Sequence, residues 1–129
     1  MQIYATNIFV EDQEIALDFY TNKLGFVLKH DVPLGTHRWL TVTGKDNPDG
    51  TELLLEPNHH EAASAYQKAL MKDGIPAASF KVDDLQAEYK RLIGLGVAFT
   101  SEPVEAGQVK MAILNDGCGN LVQLIEMLT

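Results

Sequence analysis

Apolar and polar positions along this chain form one succession of patterns that occurs twice. An apolar strand at 3–10 leads to Asp12 and then to an apolar stripe with helical spacing, which Gly25 ends. A strand at 77–82, an acidic turn, a second stripe and Gly96 repeat this order. Aspartate accepts hydrogen bonds from the amides of a first helical turn, and glycine ends helices in the left-handed conformation. The pattern therefore predicts two copies of one small unit with a strand and a helix.

Each predicted helix has one apolar face. Asp12 caps the first helix, and Asp83 or Asp84 caps the second. Residues with i, i+3, i+4 or i, i+4, i+7 spacing form the two stripes, which are Ala16, Phe19, Tyr20 and Leu24, and Leu85, Tyr89, Leu92 and Ile93. Such spacing is typical of amphipathic helices. We expect the larger members, Phe19, Tyr20, Leu24, Leu85, Leu92 and Ile93, to lie between the helices and the sheets.

The remaining segments complete two βαβββ modules. Strands are predicted at 26–32, 38–43 and 51–57 in the first half, and at 97–103, 109–116 and 120–127 in the second, where β-branched and aromatic residues alternate with polar ones. A helix is predicted at about 61–72 in the connecting segment. The expected fold class is α+β, in a single domain of residues 1–129. Module one covers about 1–58, the linker helix segment about 59–75 and module two about 76–129.

Composition and charge narrow the functional classes. The net charge is −8 and the ten Lys and Arg residues are scattered, so nucleic acid is not expected as a partner. No apolar run approaches the ~20 residues that span a bilayer, so no membrane contact is expected. The N-terminus has no signal-peptide pattern. Cys118 is the one cysteine, which excludes an internal disulfide and indicates a cytoplasmic protein.

Four motifs carry a resemblance to a known family. They are VEDQEIALDFYTNKLGF at 10–26, TELLLEPN at 51–58, SFKVDDLQAEYKRLIGLGVAF at 79–99 and DGCGNLVQLIE at 116–126. The chain resembles the vicinal-oxygen-chelate superfamily, which includes glyoxalase I, extradiol dioxygenases and bleomycin resistance proteins. The resemblance implies two βαβββ modules that form a paired open-barrel, glyoxalase-like domain. It does not imply one reaction, because this fold hosts many chemistries.

The resemblance also implies positions for a divalent metal, which this chain does not fill. The four positions of the family's ligands match Ala5, Leu54, Ala77 and Gln123. Three of these side chains have no lone pair to donate, and a glutamine is a weak neutral ligand. We therefore expect no metal and no other cofactor, and no lyase activity that depends on zinc or nickel.

A set of polar and aromatic side chains is predicted to line a ligand pocket instead. Asn7, Glu56, Ser79 and Gln123 share strand parity with the family's ligand positions, and Arg38 and Trp39 lie on a neighbouring strand. Arg38 is the candidate for an anionic ligand group. Trp39 either packs in the core or at a dimer interface, or forms a stacking wall of the ligand cup. The four histidines are interpreted as surface residues. Catalytic residues are not assigned.

Two functions follow from this reading. The first is a metal-independent protein of the drug-resistance or sequestration kind, which binds a small organic molecule in a cup between the modules or at a dimer interface. The alternative is a metal-dependent lyase, isomerase or dioxygenase of the same superfamily with an atypical site. The expected partners are the small molecule and a second copy of the chain in a homodimer, since two-fold pairs are the commonest oligomers.

Overall fold

The computed structural model describes residues 1–129 and has nine strands, three α-helices and one π-helical segment. The chain forms two compact units, Met1–Tyr66 and Gln67–Thr129. Each unit contains one open sheet that is not closed into a barrel, so the expected mixed α+β class with two sheet modules is confirmed. None of the helices is long and apolar enough to cross a bilayer.

The first unit contains a four-stranded sheet with the order β1-β4-β3-β2. Its elements are β1 (Ala5–Val10), α1 (Gln13–Asp18), β2 (Val27–Leu34), β3 (His37–Thr43) and β4 (Glu52–Pro57). β1 and β4 are parallel, whereas the pairs β2–β3 and β3–β4 are antiparallel. The first strand of the unit therefore lies beside its last strand.

The first helix is shorter than the sequence predicts. The Asp12 carboxylate accepts a hydrogen bond from the Ile15 amide at 3.0 Å, as expected of an N-cap. After Asp18 the chain widens into a π-helical segment, Phe19–Lys23, in which the Leu24 amide donates to the Phe19 carbonyl at 3.0 Å. Gly25 follows at φ +90°, a conformation that glycine adopts without steric cost.

One face of the first sheet forms the core of its unit. Its buried apolar residues are Ile8, Val10, Leu40, Val42 and Leu55, and the helical segment adds Ala16, Phe19 and Tyr20. The Phe19 and Tyr20 rings lie 5.4 Å apart, and Tyr20 also stacks on Phe26 at 6.4 Å. The apolar stripe of the first helix is therefore buried as predicted, although Leu24 at its end is only partly buried.

The second unit contains a sheet with the order β5-β9-β8-β6, and β7 pairs with β8. Its elements are β5 (Ala78–Lys81), α3 (Leu85–Gly94), β6 (Ala98–Phe99), β7 (Val104–Ala106), β8 (Val109–Asn115) and β9 (Leu121–Met127). α2 (Glu61–Asp73) contains the boundary between the units. The sequence did not predict β7, which pairs with β8 around Gly107 at φ +66°.

The predicted apolar stripe of α3 is buried in part and exposed in part. The Asp84 carboxylate accepts from the Ala87 amide at 3.0 Å, so Asp84 is the N-cap. Leu85 and Leu92 are fully buried, whereas Ile93 is 46% exposed. Successive helical residues point about 100° apart, so Ile93 lies beyond the edge of the face that Leu92 occupies. The prediction that Ile93 is buried was wrong.

The turn before β9 is held by a buried carboxylate. Asp116 accepts hydrogen bonds from the backbone amides of Cys118 at 2.7 Å and Asn120 at 3.0 Å. The Gln67 side chain on α2 donates to the Cys118 carbonyl at 3.1 Å. Cys118 is itself buried. These bonds satisfy the polar groups of a buried turn.

Candidate functional site

The face of the first sheet opposite its apolar core carries a concentration of polar side chains. Register pairs Asn7 with Leu54 and Phe9 with Glu56 across β1 and β4, and successive strand residues point to opposite faces. We call this surface the polar face. By register and alternation its residues are Ala5, Asn7, Phe9, Val27, His30, Val32, Leu34, His37, Trp39, Thr41, Thr43, Glu52, Leu54 and Glu56.

Two of the predicted site residues are hydrogen-bonded to each other on the polar face. The Asn7 Nδ2 group donates to Glu56 Oε2 at 2.6 Å. Asn7 is exposed and Glu56 is half-buried. A carboxylate has about four lone-pair positions, so Glu56 can accept a further hydrogen bond from a ligand. Glu56 lies within β4 and not beyond its end.

Arg38 and Trp39 point to opposite faces of the sheet because they are neighbours in β3. The Arg38 guanidinium donates from Nε and Nη2 to the Asp31 carboxylate at 3.0 and 2.8 Å, and from Nη1 to Glu14 at 2.6 Å. These hydrogen bonds raise the pKa of Arg38 and lower that of Asp31. Two carboxylates already engage this guanidinium. Trp39 is half-buried and pairs with Val32.

A depression of about 430 Å³ lies at the end of the polar face where Glu56 is located. Its lining residues are Phe9, Glu56, His60, Ala62, Ala63 and Tyr66. Glu56 is the one carboxylate among them, and two aromatic rings and two alanines supply most of the apolar wall. The sequence predicts α2 only as a connecting helix, so its contribution to this depression was not predicted. The available signal was the i, i+4 spacing of Ala62 and Tyr66, which puts both on one helical face.

A second polar cluster on the same face was also missed. Glu52 is only 4% exposed, and its Oε1 atom accepts from the Thr41 hydroxyl at 2.7 Å and lies 2.8 Å from His30 Nδ1. Burial works to raise the pKa of Glu52, but hydrogen bonds from Thr41 and His30 and nearby positive charge outweigh it, so the pKa is lowered. The hydroxyl of Thr43, on the same strand face as Thr41, is buried without a partner.

The two remaining candidates form a pair in the second unit. Ser79 and Gln123 are register partners on β5 and β9, and the Ser79 hydroxyl donates to Gln123 Oε1 at 2.8 Å. The Gln123 Nε2 group lies 3.8 Å from the Met111 sulfur, a weak acceptor. Ser79 is exposed and Gln123 is half-buried, so both side chains are accessible on that sheet.

The side chains at the family's metal positions do not fit a metal centre. Ala5 and Leu54 offer only carbon on the polar face, and Ala77 precedes β5. Gln123 already binds Ser79 through its oxygen. No three His, Cys, Asp or Glu side chains come together in a group suited to a metal ion. Divalent ions require three or more such donors, and we derive no chemical step through a metal.

The family model of the Glyoxalase/Bleomycin resistance protein/Dioxygenase superfamily matches residues 2–124. The chain belongs to this superfamily. The resemblance of its four motifs is thereby confirmed.

Relatives of this superfamily member include proteins that match almost its whole length. YurT of Bacillus subtilis (strain 168), an uncharacterized protein, is 54% identical, and the match covers 98% of this chain and 99% of YurT. The crystal structure of UcmS2 has a TM-score of 0.83 and 33% identity, with 97% of each chain covered. TnmS3, an antibiotic binding protein from Streptomyces sp. CB03234, has a TM-score of 0.75 and 27% identity, with 98% of this chain and 96% of TnmS3 covered.

Proposed function

We propose that this glyoxalase-superfamily protein binds a small organic molecule without a metal, at the polar face of its first unit. The observation that carries the proposal is the depression beside Glu56, whose walls are mainly carbon and whose acidic group is a single carboxylate. Pockets for organic ligands have this composition, since apolar walls supply affinity and a few polar groups fix the orientation. The description of TnmS3 as an antibiotic binding protein supports the same kind of ligand.

The lining chemistry favours a flat, apolar ligand with a cationic or hydrogen-bond-donating group. The Phe9 and Tyr66 rings offer surfaces for an aromatic system. Glu56 offers an acceptor that Asn7 orients through its 2.6 Å bond. The net charge of −8 adds a long-range attraction for cations. Trp39 stays in the proposed binding set on the polar face, whereas the ion pairs of Arg38 leave it no role in that set. Ser79 and Gln123 remain candidate ligand contacts on the separate sheet of the second unit.

Acridine orange, a cationic aromatic dye, is expected to bind and to quench the fluorescence of Trp39, the single tryptophan. Tyr66→Ala is expected to weaken binding about fivefold to tenfold, because it removes an aromatic contact. Glu56→Gln is expected to weaken acridine orange binding by a similar factor and not to weaken binding of the anionic dye anilinonaphthalene sulfonate, which the carboxylate repels. Fluorescence titration measures the dissociation constant of each protein and dye pair.

The matched control for this experiment is Tyr4→Ala. Tyr4 is 60% exposed and Tyr66 is 59% exposed, so both truncations should leave the fold intact. Tyr4 does not line the depression. Equal losses of acridine orange affinity in the Tyr4→Ala and Tyr66→Ala variants would mean that the dye does not bind in the depression. A strict requirement for added zinc, nickel, manganese or iron in the titration would favour the alternative, metal-dependent function.

We further propose that the protein is a cytoplasmic homodimer. Its edge strand β2 exposes Leu28, Val32 and Leu34, each about half accessible, and exposed apolar strands are common sites of association. Sedimentation at micromolar concentration is expected to show a species of twice the 14.2 kDa chain mass. A species of single-chain mass at that concentration contradicts the dimer, because an interface of standard size holds there.

A further inference from the structure

A β-bulge turns His30 toward the polar face. Val27 pairs with Thr43 and Leu28 with Val42, but the next pair joins His30 to Thr41, which leaves Lys29 as an extra residue. Without this insertion Lys29 would oppose Thr41, and the His30 side chain would point to the other face. Bulges are frequent beside functional sites because they redirect a side chain in this way.

The buried Glu52 carboxylate determines the tautomer of the neutral His30 ring. Glu52 Oε1 lies 2.8 Å from His30 Nδ1 and also accepts the Thr41 hydroxyl. The lowered pKa of Glu52 keeps it ionised, and an ionised carboxylate has no hydrogen to donate. The hydrogen of the pair is therefore on Nδ1. The other ring nitrogen, Nε2, keeps its lone pair, as in histidines that a carboxylate orients for proton transfer.

The His30 ring is accessible to a ligand, and a nearby buried hydroxyl has no hydrogen-bond partner. The His30 side chain is 42% exposed although its partner Glu52 is 5% exposed, so a ligand can reach the ring while the carboxylate stays shielded. The Thr43 hydroxyl is buried on the same strand face and has no partner. Burial of a carboxylate carries a cost of desolvation. Leu54, an apolar side chain on the same face of β4, avoids this cost.

We infer that the Glu52–His30 pair is a proton-accepting site for a weakly acidic hydroxyl group, such as a phenol or an enol, on the bound organic molecule. His30 Nε2 accepts the hydrogen bond, and on proton transfer the ligand O–H bond breaks, Nε2–H forms, and the ligand oxygen keeps the electron pair. The resulting imidazolium is stabilised by the Glu52 carboxylate. This inference rests on the proposed function, because it specifies one chemical group of the ligand at the same face.

The test compares 4-nitrophenol, whose anion absorbs visible light, with its methyl ether 4-nitroanisole. The unaltered protein is expected to bind 4-nitrophenol at least about tenfold more tightly, because the ether cannot donate to Nε2, and to increase the absorbance of the anion. His30→Phe keeps a ring of similar size and is expected to abolish both the tighter binding of 4-nitrophenol and the increase in anion absorbance. His37→Phe, on the same hairpin, is the control and should retain them.

Nitrogen NMR of the labelled protein tests the tautomer without a ligand. Neutral His30 is expected to carry its hydrogen on Nδ1, and a hydrogen on Nε2 would overturn the inference. Equal affinity for the two probes would also overturn it, as would the absence of binding by either at millimolar concentration. If both probes bind equally and Tyr66→Ala weakens both, the proposed function stands and the proton-accepting site does not. The two-probe comparison on the unaltered protein decides the question even if His30→Phe does not fold.

Discussion

Replacement of Phe19 by alanine is expected to lower the free energy of unfolding by about 3–5 kcal/mol. Phe19 is 8% exposed and its ring lies 5.4 Å from that of Tyr20. The substitution removes this aromatic contact and leaves a cavity beneath the π-helical segment, which the surrounding side chains refill only in part. Chemical denaturation, monitored by circular dichroism, measures this change in the free energy of unfolding.

Phe19→Leu is the matched variant for this experiment. It keeps most of the apolar volume, so the expected loss is about 1–1.5 kcal/mol. If Phe19→Ala costs less than Phe19→Leu, or if both are neutral, the core of the first unit is not arranged as described. Phe19 does not line the depression beside Glu56. The loss of unfolding free energy in these variants therefore measures core packing and not a change in the binding site.

Leu92→Ala is expected to cost about 2–5 kcal/mol, whereas Ile93→Ala, one residue further along α3, is expected to cost about 1 kcal/mol or less. Leu92 is fully buried and Ile93 is 46% exposed. Both substitutions remove branched apolar side chains in one helical turn, and their effects on helix propensity differ by only about a few tenths of a kcal/mol. The difference between them therefore isolates burial.

Denaturant titrations of the two α3 variants under identical conditions provide the measurement. Equal losses would mean that Ile93 is buried, in line with the apolar stripe and against the structure. A larger loss for Ile93 than for Leu92 would mean that the helix is rotated about its axis. Because α3 lies in the second unit, this experiment is independent of the Phe19 variants in the first.

The polar face shows which site residues a sequence can predict. Asn7 and Glu56 share strand parity, and the structure joins them by a 2.6 Å hydrogen bond. Ser79 and Gln123 share parity in the same way and are bonded at 2.8 Å. Parity depends only on alternation along each strand, so sequence alone predicts it. The partners of Arg38 depend on α1 and β2, which bring Glu14 and Asp31 to its guanidinium.

The missed residues all depend on contacts between distant segments. His30 reaches Glu52 because Lys29 forms a bulge, and no local pattern in LKHD distinguishes a bulge from a regular strand. Tyr66 lines the depression because α2 lies near the end of β4. Alternation along β4 puts Glu52 on the same face as Leu54, but alternation alone does not show that Glu52 is buried.

The sequence by itself determined the duplicated order of strand, helix and strands, the capping by Asp12, the choice of Asp83 or Asp84 for the second cap, and the faces of residues in regular strands, because these depend on residues a few positions apart. Tertiary structure decided the π-helical segment, the exposure of Ile93, the ion pairs of Arg38 and the pairing of His30 with Glu52. Each of these depends on register or on the width of a buried face, which is set where separate segments pack together.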